Sequence, residues 1–287
     1  MWFDRSGKEL GAVNPAGDVK DMRLSPDGKR AAIQITINAF NADIWLVDLE
    51  RNTPTRFTFS PAIEDDPVWS PDGSRVLFTS ERGGPRDIYQ KLSSGAGSEE
   101  LLLKSEVVKE TQDWSSDGRF ILFEINDPNN QSDLWVLPLF GDKQPFPFLA
   151  TEFSEYQGRF SPDGRWVAYV SNESGKQEVY VQSFPASGGK WQISTDGGAQ
   201  PVWRHDGREL FYINPDRKLM SVEIKTGATF EAGVPKMLFE TRVDAYASNN
   251  RYAVSPDGQR FLINVPVEAQ SSSAITVVLN WTADLKR

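Results

Sequence analysis

The side chains able to do covalent chemistry are few. His205 is the single histidine and cysteine is absent, so thiol nucleophiles, disulfides, thiolate zinc sites and iron–sulfur clusters are excluded together. A Ser-His-Asp triad could draw only on His205. That residue lies in Arg204-His205-Asp206-Gly207, which has the residue types of a kinase His-Arg-Asp loop in the wrong order. No glycine-rich phosphate loop, Asp-Phe-Gly, Gly-x-Ser-x-Gly elbow or Gly-Lys-Ser/Thr run accompanies it. These absences point to a chain without a catalytic motif of its own.

Carboxylates, by contrast, are abundant. Asp127, Asn129, Gln131 and Asp133 alternate as calcium ligands do, without the glycine and distal glutamate of an EF-hand. A solvated loop is the simpler reading, with calcium as the alternative; no other cofactor is implied. Asp65-Asp66 stand as a pair before an apolar stretch. Six further aspartates, Asp27, Asp72, Asp117, Asp163, Asp206 and Asp257, share a local context that gives them a structural purpose.

That context is a repeated turn. Ser25-Pro26-Asp27-Gly28 recurs at 70–73, 115–118, 161–164, 204–207 and 255–258, with Asp-Gly kept in all six copies. Successive aspartates are 45, 45, 46, 43 and 51 residues apart, a period long enough for four short strands. Proline sets φ at the first corner, aspartate bonds nearby backbone N–H groups, and glycine takes the positive φ that closes an antiparallel hairpin.

Four segments surround each turn. An inner strand precedes it (Pro67 to Trp69; Gln200 to Trp203) and a β-branched, aromatic strand follows (Arg75 to Thr79; Phe120 to Ile125; Trp166 to Ser171; Glu209 to Ile213; Phe261 to Val265). A third strand (Asp43 to Val47; Asp87 to Tyr89; Asp133 to Val136; Glu178 to Val181) and a fourth (Arg56 to Phe59; Glu100 to Leu103; Phe146 to Ala150; Lys190 to Ser194; Lys236 to Phe239) complete the unit. Six four-stranded antiparallel units repeated radially describe an all-β, six-bladed propeller spanning residues 1–287 as a single domain. In the last unit the apolar run Ile275 to Trp281 is expected as third strand and Glu9 to Val13 as fourth, so that a closing N-terminal segment, about 2–13, joins the chain ends. Trp2 to Arg5 is then one strand too many, which suggests a piece of a longer chain or a five-stranded final blade.

The propeller geometry singles out a candidate ligand site. Inner strands surround a central channel, and the residue three before each inner-strand anchor should form a ring near one mouth. Counting back gives Asp21, Asp66, Thr111, Gln157, Gln200 and Arg251, all polar, with Tyr156, Tyr252 and Asn250 beside them for stacking and hydrogen bonding. Trp69, Trp114 and Trp203 share one repeat position and Trp45 and Trp135 another, which marks them as inter-sheet packing.

The turn, its period and the Asp43-Ile44-Trp45 strand resemble the propeller repeats of the TolB family, found also beside the hydrolase domains of prolyl oligopeptidase relatives. Gly164 to Gly175, Gly207 to Tyr212, the ending Val277 to Leu285 and the opening Trp2 to Gly7 further resemble the C-terminal propeller of bacterial membrane-anchored serine/threonine kinases. The resemblance implies a sensory or interaction module, and it favours an extracytoplasmic, periplasmic location.

The chain is therefore expected to be a non-catalytic binding propeller for a protein, peptide or cell-envelope ligand, monomeric, and part of a larger signalling protein such as a kinase. The alternative is a propeller that gates substrate into a hydrolase domain absent from this chain. With 31 Lys plus Arg against 40 Asp plus Glu and a net charge of −9, a nucleic-acid partner is not expected, because such affinity comes from cations that displace phosphate counterions. No secretory signal opens the chain and no apolar run of 18 residues occurs, so no membrane span is expected within it.

Overall fold

A computed structural model describes residues 1–265 apart from 16, 105, 127–130, 187, 228 and 248. Six antiparallel sheets of the expected kind appear in chain order. Blade 1 is built from Asp18–Leu24, Arg30–Asn38, Asn41–Asp48 and Thr53–Arg56. Blade 2 comprises Glu64–Trp69, Arg75–Ser80, Asp87–Leu92 and Glu100–Leu103, and blade 3 comprises Val108–Trp114, Phe120–Asn126, Ser132–Pro138 and Phe146–Leu149. Blade 4 holds Glu155–Phe160, Trp166–Ser171, Glu178–Ser183 and Lys190–Gln192. Blade 5 holds Ala199–Trp203, Glu209–Ile213 and the long strand Lys218–Thr226, whose two halves pair with Lys236–Glu240 and Phe230–Ala232.

Blade 6 confirms closure by the N-terminus and corrects its detail. Its order is Glu9–Gly11, Trp2–Asp4, Arg260–Ile263, Tyr252–Val254. Trp2–Asp4 is thus the third strand and not a surplus one, pairing Trp2 with Leu262 and Asp4 with Arg260. The expected third strand, Ile275 to Trp281, lies outside the described residues. A second small correction concerns blade 1, whose outer strand is Thr53–Arg56 and stops before Phe57. There Phe57 N and Thr58 N both donate to the Ile44 carbonyl (2.9 and 3.2 Å), which takes the chain off the ladder while the Phe57 ring enters the core.

The core shows that the ring is closed. Six apolar clusters occur among the described residues, one between each pair of neighbouring blades. One of them sets Val19, Met22 and Ile33 of blade 1 against Ala253 and Leu262 of blade 6. Side chains such as Phe78, Phe123 and Phe211 are fully buried there, and truncating one to alanine costs about 3–5 kcal/mol in comparable cores.

The repeated turn works as its residues imply. Each turn glycine has φ between +68° and +73°, where only glycine avoids a Cβ clash. Ser25 Oγ donates to Asp27 Oδ1 (2.5 Å) and accepts from Arg30 N (2.9 Å), and the same pair of bonds recurs in the turns of blades 2, 3, 4 and 6. Blade 5 has Arg204 where the others have serine, and its guanidinium Nε lies 3.3 Å from Asp206 Oδ1 instead.

Candidate functional site

The six positions singled out by counting fall at equivalent points, five on inner strands and Arg251 one residue before the sixth; the side chains of Asp21, Thr111, Gln157 and Gln200 bond to neighbouring blades, whereas the Asp66 carboxyl bonds Thr79 of its own blade. Asp21, Asp66, Thr111, Gln157 and Gln200 are buried and Arg251 is partly exposed. Asp66, Gln157 and Gln200 adopt φ of +51°, +53° and +56°, each within a register shift of its inner strand. A β-bulge of this kind re-aims the side chain. Gln157 Oε1 accepts from Gln200 N (2.7 Å), and Gln200 Oε1 accepts from Arg251 N (2.9 Å). Gln200 Nε2 donates to the carbonyls of Asp244 and Ala245 (3.0 Å each), and Thr111 Oγ1 donates to the Asp66 carbonyl. Between blades 6 and 1, Asn250 Nδ2 donates to both Asp21 oxygens (3.0 and 2.9 Å). Tyr252 is buried with its hydroxyl on the Gln200 carbonyl (2.8 Å), whereas Tyr156 is partly buried against the blade 4–5 core.

Asp65 and Asp66 belong to a dense charged cluster on the same level. Arg86 lies 3.1 Å from Asp65, 3.9 Å from Asp66, 3.1 Å from Glu110 and 3.2 Å from Glu81. Burial, with Asp65 and Glu110 close by, pushes the Asp66 carboxyl well above the usual range. Burial and Glu110 likewise push Glu124 up to about 8. Among the described residues no group of three or more such side chains is arranged to hold a metal ion. Gln131 and Asp133 of the calcium-like loop are described, whereas Asp127 and Asn129 lie outside the described residues.

The open space lies two positions further along the inner strands, toward the turns. A cavity of about 460 Å³ occupies the axis there and is lined from all six blades. Pro26, Pro71, Pro162 and Pro256, with Ser116 and His205 standing where the other turns have proline, form its rim. Trp69, Trp114, Trp203 and Phe160 form its walls. The tryptophans therefore both pack the blades, as their repeat position implies, and face the axis. Trp69 Nε1 donates to the Arg23 carbonyl and Trp203 Nε1 to the Arg159 carbonyl (3.1 Å each), so these two wall indoles tie down a strand of the preceding blade, whereas Trp114 Nε1 donates to the Gly118 carbonyl of its own turn (3.2 Å).

Arg23, Asp113 and Arg159 also line this cavity. The equivalent residues of the other blades are Val68, Val202 and Ala253. Counting back three residues missed these charges; comparing the six copies four residues before each turn aspartate exposes them. Arg23 Nη2 and Arg159 Nη1 both donate to the Gln112 carbonyl, Arg23 at 3.1 Å. Arg159 Nη2 reaches Asn250 Oδ1 (2.5 Å), and Asp113 Oδ2 accepts from Phe160 N (2.8 Å). Burial and the neighbouring Arg23 charge bring Arg159 down to about 9, while burial pushes Asp113 up against the pull of both arginines.

This arrangement has the form of a binding pocket, concave, mostly apolar and with a few convergent polar groups. It contains no nucleophile–base pair: His205 is exposed on the rim, on a turn whose aspartate binds Arg204 and the backbone N–H of Arg208.

Comparison with known proteins agrees with the architecture. Residues 6–139 match the TolB beta propeller domain. The first half of the chain thus carries TolB-like propeller repeats. The chain is 27% identical over 206 residues to an uncharacterized protein of Agrobacterium fabrum, covering 67% of this chain and 69% of that one. Over 182 residues it is 26% identical to the Tol-Pal system protein TolB of Helicobacter pylori, covering 61% of this chain and 41% of that protein. The propeller superposes on the structure of a putative TolB from Agrobacterium tumefaciens with a TM-score of 0.74 at 19% identity, over 93% of this chain and 97% of that one. No helix among the described residues is long and apolar enough to cross a membrane.

Proposed function

We propose that this propeller is a non-catalytic docking module that receives a segment of a protein or peptide partner at the turn-side mouth of its axial channel. The observation that carries the reading is the 460 Å³ axial cavity with charged groups at Arg23, Asp113 and Arg159 and a rim of turn residues. Its parts are held by the closed ring of blades, so little conformational freedom is lost when a ligand enters, and affinity gains accordingly. The positions counted from the sequence, Asp21, Asp66, Thr111, Gln157, Gln200 and Arg251, act in this reading as the bracing beneath the pocket, with Tyr252 reaching its lining. The similarity to TolB supports an extracytoplasmic location, and the resemblance of segments such as Gly164 to Gly175 to kinase-linked propellers is the ground for reading the chain as a module of a larger bacterial signalling protein.

The test is selection of peptides from a random library on the intact chain, followed by calorimetry on the parent and on Ser116→Trp, which fills the mouth from its rim. Selected peptides should bind the plugged variant at least tenfold more weakly while its melting temperature stays within about 2 °C of the parent. Peptides indifferent to the plug, or failure to select any binder, would overturn the proposal.

A further inference from the structure

Two guanidinium groups on the pocket floor converge without a close ion pair, their nearest acids Asp21 and Asp113 acting on them from beyond contact distance. Arg23 stands on blade 1 and Arg159 on blade 4, yet both donate to the one carbonyl of Gln112. Arg159 is only 6% exposed, and its Nε, in the interior, has no hydrogen-bond partner. Among the described residues neither guanidinium has a carboxylate within 4 Å. A chain of net charge −9 therefore keeps two desolvated cations side by side at the end of a cavity that opens to solvent. Buried charges are ordinarily paired, and like charges this close repel. Burial first, and the Arg23 charge second, bring Arg159 down.

The surroundings limit what could pair with them. Asp113 lines the same floor, so the lining carries two positive charges and one negative, an excess of one. Asp21 and Asp66 lie off the lining, the first bonded by Asn250 and the second to Thr79 Oγ1 (3.1 Å); they attract the arginines from behind, but burial raises both carboxyls, which weakens them as standing counter-charges. A monoanion matches the excess; a dianion such as a phosphate monoester would leave Asp113 facing uncompensated negative charge. The planar, forked guanidinium suits a carboxylate. A cavity of about 460 Å³ walled by indole and phenyl rings accommodates an apolar body of small-ligand size, the range of such sites being roughly 300–1,000 Å³. Because the charges sit below the rim of turns, a chain end reaches them more readily than a chain passing across.

We propose that the axial pocket recognises the C-terminal carboxylate of a peptide whose last side chain is apolar or aromatic, with Arg23 and Arg159 clasping the carboxylate and the tryptophan walls holding the side chain. This rests on the docking reading above and names the chemistry of that site.

The experiment is calorimetry on the full chain with four probes: N-acetyl-L-phenylalanine, its C-terminal amide, phenyl phosphate, and N-acetyl-L-aspartyl-L-phenylalaninamide, which carries its carboxylate on a side chain. The free acid should bind at least tenfold more tightly than the other three. Arg23→Gln, checked by its melting temperature, should erase the preference for acid over amide. Asp113→Asn, whose amide oxygen still accepts from Phe160 N, should tighten the acid several-fold and admit the phosphate, a gain that misfolding cannot mimic. Equal binding of acid and amide, no binding of the acid, or a folded Arg23→Gln that keeps the preference would overturn the proposal. Equal binding of the aspartyl probe would overturn its assignment to a chain end. If library peptides bind at the mouth but amidated and free forms bind alike, the docking reading stands and only the carboxylate claim falls.

Discussion

Pro256, in the last turn of the chain, touches Gly28 in the first: a Cβ built on Gly28 would stand 2.8 Å from the proline Cδ. The same relation runs round the molecule, with the turn glycines at 73, 118 and 207 facing Pro26, Pro71 and Pro162 at 3.6–3.8 Å. The six turns thus form a girdle that closes on itself, and the contact joining the first and last blades is its tightest glycine–proline one.

Replacing these glycines by alanine separates two costs. Gly118→Ala imposes the left-handed backbone penalty alone, about 1–2 kcal/mol, since its nearest neighbour is 3.8 Å away. Gly28→Ala adds the collision with Pro256 and should lose about 1 kcal/mol more, by the usual cost of overpacking. Urea midpoints of the two variants at one pH measure the difference.

Closure also depends on the chain's first residues. Met1 N donates to the Ile263 carbonyl at 3.0 Å, and Phe3 stacks on Phe239 of blade 5 with ring centroids 5.9 Å apart. Removing residues 1–11 deletes two of the four described strands of blade 6 and strips Arg260–Ile263 of its described partner on that side, exposing a template for association. The truncated chain should melt at least 10 °C lower and show concentration-dependent light scattering; a monomer that melts like the parent would contradict this account of closure.

The architecture could be read from the sequence because every copy of the turn states the same backbone requirement. Asp-Gly is needed wherever φ is positive after a type I corner, so its recurrence counts the blades. Trp2–Asp4 was misplaced for a related reason: a three-residue strand carries no periodicity of its own, and the more apolar Ile275 to Trp281 outweighed it. The site was less legible. Distance from the anchor gives a residue's height along the inner strand but not the direction of its side chain, and the bulges at Asp66, Gln157 and Gln200 re-aim those side chains, Gln157 and Gln200 toward the next blade and Asp66 onto Thr79 of its own. Arg23, Asp113 and Arg159 became visible only once the axis was known, although their departure from Val68, Val202 and Ala253 was present in the repeats.

Those bulges give the bracing positions a measurable role. Gln200→Ala removes the acceptor for Arg251 N and the donor to two carbonyls, groups that are costly to leave unpaired, so it should lose about 2–4 kcal/mol by the usual cost of such groups. Arg251→Ala keeps the backbone N–H that makes this link and should fall within about 0.5 kcal/mol of the parent. Equal effects of the two, read by chemical denaturation, would show that the side chains at this level do not brace the ring.

Glu124 supplies a pH test with a definite sign. It is buried and accepts from Gln112 Nε2 at 3.1 Å, with its carboxyl raised from 4.5 to about 8. Between those values the folded chain holds a proton that the unfolded chain has released, so stability falls as pH rises through the window. Glu124→Gln keeps the shape and removes the titration. The variant should gain stability over the parent at pH 8, by an amount on the order of 4 kcal/mol, and gain little at pH 4.5. The raised Asp66 acts in the same direction, so the variant's remaining slope is reduced and not abolished. Urea midpoints across that range measure it, and identical slopes for the two proteins would refute the assignment.

The indoles of Trp69 and Trp203 hold the carbonyls of Arg23 and Arg159, the residues at the pocket floor. A ligand pressing on either ring thereby pulls on the strand beneath the charge it seeks, and shape and charge cannot be altered one at a time through the walls. Selectivity is free to drift only at the rim, where Ser116 and His205 replace proline and no such tether binds them to the cations below. An engineer wishing to retarget this module would begin with those two side chains and leave the tryptophans alone.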